Sequence, residues 1–201
     1  KDRIFLTTAV ETDKAADPEA MKKAEAETPE FMRKEGSRLP AKVLQFTVLA
    51  LKRSDGSVLW KQVVCEEAPH AGTHADGSWA SGSPATDGER VYAYFGSYGL
   101  YCLDLDGKRL WEKRLGLFKT KMNFGEGVSP VLCGEQVLVN QDQEGPGFLA
   151  AFDRKTGVEA WRVPRDEATS WATPLVLERE GKRQIVVSAA KKIRSYDAAS
   201  G

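Results

Sequence analysis

The amino-acid sequence predicts an all-β protein, a β-propeller of four-stranded antiparallel blades that carries one short helical insertion. Three observations lead to this fold class. A Gly stands four positions before a Trp at regular intervals, and a Ser-Pro or Thr-Pro pair precedes each such segment. Between them lie short runs of Val, Leu, Tyr and Phe, bounded by Gly and Asp. A repeat of about 50 residues with four short strands has the period of a propeller blade.

The Gly-to-Trp segment is the last element of each predicted blade. Three copies end at Trp60, Trp111 and Trp161, which are 51 and 50 positions apart, and a fourth copy reaches Gly201. The Gly permits a left-handed turn, and the Trp offers a broad apolar plate for packing on the neighbouring blade. The residues predicted to serve this structural docking are Gly56, Trp60, Gly107, Trp111, Asp153, Gly157 and Trp161.

The Ser/Thr-Pro pairs at residues 83–84, 129–130 and 173–174 mark where each blade begins. Each pair opens a short apolar strand, and a polar turn and a second apolar strand follow. One partial propeller domain over 1–201 is expected, with blades at 1–66, 67–116, 117–165 and 166–201. The last blade is expected to be truncated, and the full protein to contain seven or eight blades.

Residues 11–41 interrupt the first blade and are predicted to be helical. Asp17, Pro18 and Glu19 form an N-cap, a first-turn proline and a first-turn acid, and Gly36 is a stop signal. Two short helices are therefore expected here, polar on most sides. The insertion fits either a lid that binds a partner or a solvated ornament.

Composition and charge exclude several classes of protein. The chain has 29 basic and 29 acidic residues, so no net field attracts nucleic acid. No apolar run approaches the roughly 18 residues of a membrane span. Cys65, Cys102 and Cys133 each lie in or beside an apolar strand and are expected to be small buried hydrophobes, with their redox state left open.

The segment 151–161, Ala-Phe-Asp-Arg-Lys-Thr-Gly-Val-Glu-Ala-Trp, resembles the A-x-D-x-x-T-G-x-x-x-W tryptophan-docking motif. That motif belongs to the quinoprotein (PQQ)-like β-propeller repeat family, and the loops here look most like those of its exported members of unassigned function. The resemblance implies a periplasmic or otherwise exported protein. Kelch repeats have a similar period but usually carry a Gly-Gly doublet, which this sequence lacks.

The long connections are all expected on one face of the propeller, called here the long-loop face. They are 11–41, 94–99 and 140–147 within blades, and 64–82, 116–127 and 163–170 between blades. Binding residues usually lie on loops held by a rigid scaffold. The candidate ligand-binding residues at the channel mouth are His74, Asp76, Ser78, Trp79, Lys121, Asn123, Glu167, Ser170 and Trp171. In the alternative interpretation, Trp79 and Trp171 plug the channel and the charged groups are merely solvated.

No catalytic residue and no metal site is predicted. The sequence has no nucleophile elbow and no phosphate-binding loop, and His70 and His74 flank a Gly-containing loop without a third ligand. The sequence therefore predicts a non-enzymatic binding or scaffolding propeller, without a cofactor, for a protein, peptide or glycan. The missing blades of the same chain are further partners. The alternative is a fragment of a PQQ-dependent alcohol or sugar dehydrogenase, which would bind PQQ and Ca²⁺.

Overall fold

The computed structural model describes residues 2–34 and 36–201. Four antiparallel sheets follow one another along the chain, and each is a meander in which consecutive strands pair. This arrangement confirms the predicted all-β fold of antiparallel blades. No helix in the described part of the chain is long and apolar enough to cross a membrane.

The first sheet contains three strands and carries both helices. Its strands are β1 (Arg3–Ala15), β2 (Lys42–Lys52) and β3 (Val58–Glu67), in the order β1-β2-β3. Helices α1 (Pro18–Glu27) and α2 (Glu30–Lys34) lie between β1 and β2.

The second and third sheets have four strands each, and the fourth has three. The second contains β4 (Ala85–Thr86), β5 (Arg90–Tyr94), β6 (Leu100–Asp104) and β7 (Arg109–Lys113). The third contains β8 (Val131–Cys133), β9 (Gln136–Gln141), β10 (Gly147–Asp153) and β11 (Glu159–Arg165). The fourth contains β12 (Leu175–Arg179), β13 (Lys182–Ser188) and β14 (Ile193–Asp197).

The helical insertion begins later than predicted. Strand β1 continues to Ala15, with Val10 opposite Gln45 and Glu11 opposite Leu44, so residues 11–15 are strand. The register is irregular between Glu11 and Ala15, and pairing resumes where Ala15 lies opposite Lys42. Helix α1 starts as expected, since the Asp17 side chain accepts a hydrogen bond from the Glu19 amide at 3.1 Å.

Consecutive sheets are joined by an indole that rests on a glycine. The ring of Trp60 covers Gly107, where a Cβ would lie only 2.9 Å from the ring, and Gly107 has a φ of +88°. The Trp60 Nε1 donates to the Leu105 carbonyl at 2.8 Å. A side chain at position 107 would therefore push the two sheets apart.

The same contact recurs at the next two junctions. Trp111 covers Gly157, where a Cβ would lie 2.8 Å from its ring, and its Nε1 donates to the Arg154 carbonyl at 3.1 Å. Trp161 also covers Gly201, where a Cβ would lie 2.9 Å from the indole ring. Each sheet thus presents its Trp to the turn of the sheet that follows.

Three apolar clusters fill the spaces between consecutive sheets. Phe46 and Val91 lie in the first cluster, Tyr92 and Val139 in the second, and Leu149 and Ile185 in the third. One cysteine lies in each cluster, and burial raises the pKa of all three thiols. The core is therefore divided among the junctions, as expected for stacked blades.

The Ser/Thr-Pro pairs are linked to one another by hydrogen bonds. The Ser83 amide donates to the Ser129 Oγ at 2.9 Å, and the Ser129 amide donates to the Thr173 Oγ1 at 3.3 Å. Each hydroxyl thus holds the start of the preceding sheet. These two hydrogen bonds fix the distances between the inner strands of the second, third and fourth sheets.

Candidate functional site

The connections of the long-loop face form one continuous layer. The Lys119 amide donates to Gln143 Oε1 at 3.1 Å, and the Glu144 amide donates to the Lys119 carbonyl at 2.8 Å. The Thr169 amide donates to Glu144 Oε1 at 3.1 Å, and the Lys121 amide donates to Thr169 Oγ1 at 2.8 Å. Three successive connections are therefore fixed to one another, so this face is organised before any partner binds.

Two of the predicted ligand-binding residues, Ser78 and Trp79, support the link between the first and second sheets. The Trp79 Nε1 donates to the Ala71 carbonyl at 3.0 Å, within the same link. The Ser78 Oγ accepts a hydrogen bond from the Ala80 amide at 3.0 Å. Both polar groups are thus used to shape the link.

His74, Asp76 and Trp171 lie in or beside an aromatic cluster. The His74 ring meets Phe124 edge-on with centroids 5.3 Å apart, and Phe124 lies 6.2 Å from Trp171. The Trp171 Nε1 donates to the Gly125 carbonyl at 2.9 Å, while 43% of the residue stays exposed. Asp76 is exposed and lies 3.8 Å from the His74 Nδ1.

Asn123 joins the link between the second and third sheets to the helical insertion. Its Nδ2 donates to the Thr28 Oγ1 at 3.1 Å, and both residues are buried. Met122 and Asn123 each have a φ of +54°, a left-handed conformation that is strained for Met. Lys121, the neighbouring predicted residue, is exposed.

Ser170 and Glu167 belong to ionic networks near the fourth sheet. The Ser170 Oγ donates to Asp142 Oδ2 at 2.6 Å, and Asp142 forms a fully buried ion pair with Arg165 at 2.6 Å. The Glu167 side chain is also fully buried and lies 3.1 Å from the Arg194 guanidinium. These carboxylates hold the third and fourth sheets together.

The nine predicted residues are spread over the three links between the sheets, and their role in binding a ligand stays a prediction. Apart from His74 and Asp76, no hydrogen bond or ion pair in residues 2–34 and 36–201 joins two of their side chains. The ion pair between Asp142 and Arg165 was missed by sequence reasoning. Its partners are 23 positions apart with no shared motif, so no sequence signal identified it.

A buried carboxyl group lies at the centre of the layer. The two carboxylate oxygens of Glu126 accept hydrogen bonds from the Ser97 amide and the Ser97 Oγ, each at 2.7 Å. Burial raises the pKa of this carboxyl to about 7. The crevice beside it, lined by His70, Trp79 and Tyr98, has a free volume of about 10 Å³. That space is near the lower limit for one water molecule and does not fit a quinone cofactor.

A larger groove lies where helix α1 meets the links. It has a volume of about 330 Å³, and Leu117, which is 70% exposed, lies on its wall. Lys23, Glu27 and Lys119 give the groove a mixed charged rim, with Lys119 and Glu27 4.0 Å apart. No group of three His, Cys, Asp or Glu that could hold a metal ion occurs in the described part of the chain.

The recurring sheets and their indole-on-glycine junctions define a repeat β-propeller of the PQQ-like class. A family model described as "Outer membrane protein assembly factor BamB" matches residues 45–201. The chain therefore belongs to this family.

The solved structures that match the chain come from two kinds of protein. BamB from Moraxella catarrhalis matches with a TM-score of 0.48 and 16% identity, over 78% of this chain and 43% of that one. The quinohemoprotein alcohol dehydrogenase ADHIIG from Pseudomonas putida HK5 matches with a TM-score of 0.42 and 17% identity, over 79% of this chain and 22% of that one. Quinohemoprotein alcohol dehydrogenase from Comamonas testosteroni matches with a TM-score of 0.42 and 14% identity, over 82% of this chain and 23% of that one. The chain thus spans less than half the length of each, and no curated protein matches it.

Proposed function

We propose that this protein is a binding propeller that holds a protein partner on its long-loop face and acts as a scaffold, without catalysis. The observation that carries this proposal is the groove between helix α1 and the inter-sheet links, with Leu117 exposed on its wall. An exposed Leu in a fixed groove is covered at little entropic cost when a partner binds.

Further large apolar side chains are exposed on the same face. Phe31 is 50% exposed, Met122 38% and Trp171 43%. Aromatic and Met side chains are enriched at protein interfaces, where they act as anchors. Together with Leu117 they give the long-loop face the composition of a docking surface.

The strained backbone at Met122 supports the same interpretation. A φ of +54° is unfavourable for Met and persists because its neighbours in the link are held by hydrogen bonds. The strain places an apolar side chain in solvent, at a cost that a binding role would offset. A purely structural link would be more stable with Gly or Asn at this position.

A protein fits this face better than a small ligand does. Small-molecule sites need convergent polar groups in a deep pocket. Here the polar groups of Trp79, Asn123, Glu167 and Ser170 are already bonded within the protein. Membership of a family described as an outer membrane protein assembly factor also supports a protein partner and a location outside the cytoplasm.

Site-directed photo-crosslinking tests the proposal in cells that express the full-length protein. A photoreactive amino acid at position 117 should give one covalent adduct with another protein. The matched control is position 110 on β7, where Leu110 is 45% exposed but lies outside the long-loop face. Adding Trp171→Glu should lower the yield of the position-117 adduct severalfold, because a buried charge weakens an apolar interface.

Two results would overturn the proposal. One is an equal adduct yield from positions 117 and 110, which would mean that the long-loop face has no selectivity. The other is a change in quinone absorbance on titration of the purified protein with PQQ and Ca²⁺, together with alcohol oxidation. That outcome would establish the dehydrogenase alternative.

A further inference from the structure

The link between the second and third sheets contains a loop whose two ends are held by one serine. At one end, the Phe118 amide donates a hydrogen bond to the Ser97 Oγ at 2.8 Å. At the other end, the Glu126 carboxylate accepts hydrogen bonds from the Ser97 amide and the Ser97 Oγ, each at 2.7 Å. Residues 118–126 are called here the 118–126 loop. Ser97 lies in the connection between β5 and β6, so this connection fixes both ends of the loop.

The 118–126 loop positions the groups that form the docking surface. The Asn123 Nδ2 donates to the Thr28 Oγ1 at 3.1 Å and so joins the loop to the helical insertion. The Gly125 carbonyl accepts a hydrogen bond from the Trp171 Nε1 at 2.9 Å. Leu117, which is exposed on the groove wall, immediately precedes the loop. The position of the loop therefore determines how the groove and the indole are presented to a partner.

The Glu126 side chain occupies a place that packing defines closely. Its carboxylate rests on Gly96, where a Cβ would collide with it, and Gly96 has a φ of +57°. The crevice beside the carboxyl group has a free volume of only about 10 Å³. Bulk water therefore cannot surround this group while the loop is in place.

The groups that face Glu126 do not supply a positive charge to balance it. They are Tyr94 on β5, Tyr98 in the β5–β6 connection, and His70 in the link between the first and second sheets. Burial raises the pKa of both tyrosines, so both stay protonated near neutral pH. The two ring nitrogens of His70 lie 2.9 Å from the Tyr98 hydroxyl and 2.9 Å from the Phe118 carbonyl. Over residues 2–34 and 36–201, no lysine or arginine forms an ion pair with Glu126.

The two protonation states of Glu126 therefore favour different positions of the loop. A buried carboxylate without a cation is costly, and its two hydrogen bonds from Ser97 offset only part of that cost. A protonated carboxyl group avoids the cost and can donate its own proton to the Ser97 Oγ. Burial accordingly raises the pKa of this carboxyl to about 7. Ionisation favours an open loop, in which the carboxylate reaches water.

We propose that Glu126 regulates docking on the long-loop face: the 118–126 loop holds the partner while this carboxyl is protonated, and the partner is released as the carboxyl ionises. This regulation rests on the docking role proposed above. Opening of the loop displaces Leu117 and removes the Gly125 carbonyl that holds Trp171. The groove and the indole then no longer form one surface, so docking is stronger in mildly acidic than in mildly basic conditions.

Hydrogen exchange of the full-length protein tests the loop without a partner. Protection factors, corrected for the intrinsic effect of pH on amide exchange, should fall about tenfold in segment 118–126 between pH 6 and pH 8. This factor follows from a carboxyl that titrates at about 7 with the loop in place and at 4.5 with the loop open. Glu126→Gln mimics the protonated carboxyl, so its protection in this segment should not change with pH.

Photo-crosslinking from position 117 tests the release itself, in permeabilised cells that express the full-length protein and are buffered between pH 6 and pH 8. The yield of the adduct should fall severalfold as the pH rises, whereas Glu126→Gln should keep a high yield throughout. The matched control is Glu135→Gln, which makes the same carboxyl-to-amide change on the exposed β8–β9 turn. Lys155 and Arg154 lower the pKa of Glu135, so this control should retain the fall in yield.

The possible results separate the regulation from the docking role. An adduct yield that does not change with pH would refute the regulation and leave the docking role in place. A pH dependence that persists in Glu126→Gln would also refute it and would point to His70 as the titrating group. If no adduct forms at position 117 at any pH, the docking role fails and the regulated release fails with it. Constant protection of segment 118–126 from pH 6 to pH 8 would exclude the switch whatever the crosslinking shows.

Discussion

Glu126 is a single residue whose ionisation couples the long-loop face to pH. Its carboxylate lies inside the layer and accepts two hydrogen bonds from Ser97, with no cation bonded to it in the described residues. Because burial disfavours the charged form, its pKa is raised from 4.5 to about 7. Near neutral pH the layer therefore contains a carboxyl group that is only partly ionised.

The stability of the protein should fall as pH rises from about 5 to 8. In that range the folded state binds a proton at Glu126 that the unfolded state has already released, so raising the pH favours unfolding. Glu126→Gln can keep the hydrogen bond from the Ser97 amide, while its NH2 group donates to the Ser97 Oγ instead of accepting from it. The substitution removes the ionisation, so the variant should lack this part of the pH dependence. Urea unfolding at several pH values should show that the free energy of unfolding falls between pH 5 and 8 by on the order of 1–3 kcal/mol more in the unsubstituted protein than in Glu126→Gln. Identical pH profiles would contradict the assignment.

Within the elements, the turn before each Trp determines how closely two sheets approach. Gly157 has a φ of +69° and lies under the Trp111 ring, while Gly56 has a φ of +72° and no atom within 4 Å. The two glycines share a motif position and a backbone conformation. They differ only in whether a neighbouring indole covers them.

Gly157→Ala should therefore destabilise the 201-residue chain more than Gly56→Ala does. Both substitutions impose the strain of a left-handed Ala, about 1–2 kcal/mol. Gly157→Ala also forces a methyl group into the Trp111 ring, which adds about 1–3 kcal/mol. Chemical denaturation of the two variants measures the difference in their free energies of unfolding. Equal losses of stability would show that the packing of the Trp111 ring does not require a glycine at position 157.

The same elements show how much the sequence predicts. The Gly-to-Trp spacing predicted the antiparallel sheets, because they follow from local turn chemistry repeated about every 50 residues. The spacing did not predict that Ser170 bonds to Asp142 or that Asn123 bonds to Thr28. Those partners come from different connections, and their proximity depends on the three-dimensional arrangement of the sheets.

At the scale of the whole molecule, the first and last sheets each have an apolar outer face. On the fourth sheet Leu175, Leu177 and Ile193 are exposed, while Ile185 and Val187 point toward the third sheet. On the first sheet Ile4 and Leu6 are exposed. Blades bury such faces only by stacking on a neighbour.

The 201-residue chain should consequently self-associate. Sedimentation velocity should show a weight-average mass that rises with concentration, because exposed apolar faces of this kind are covered by association. The double variant Leu177→Glu with Ile193→Glu should shift the chain toward monomer. Val158→Glu is a matched control, since Val158 is also exposed but lies in a turn of the third sheet. A monomer at all concentrations would contradict the prediction.

The indole hydrogen bonds at Leu105 and Arg154 engage the main chain of these positions and leave their side chains uninvolved. The distance between neighbouring blades is therefore set by main-chain atoms at these positions and does not require a particular side chain there. A repeat with this kind of junction can change the residue after the motif Asp from blade to blade, as it does between Leu105 and Arg154, without changing how the indole docks.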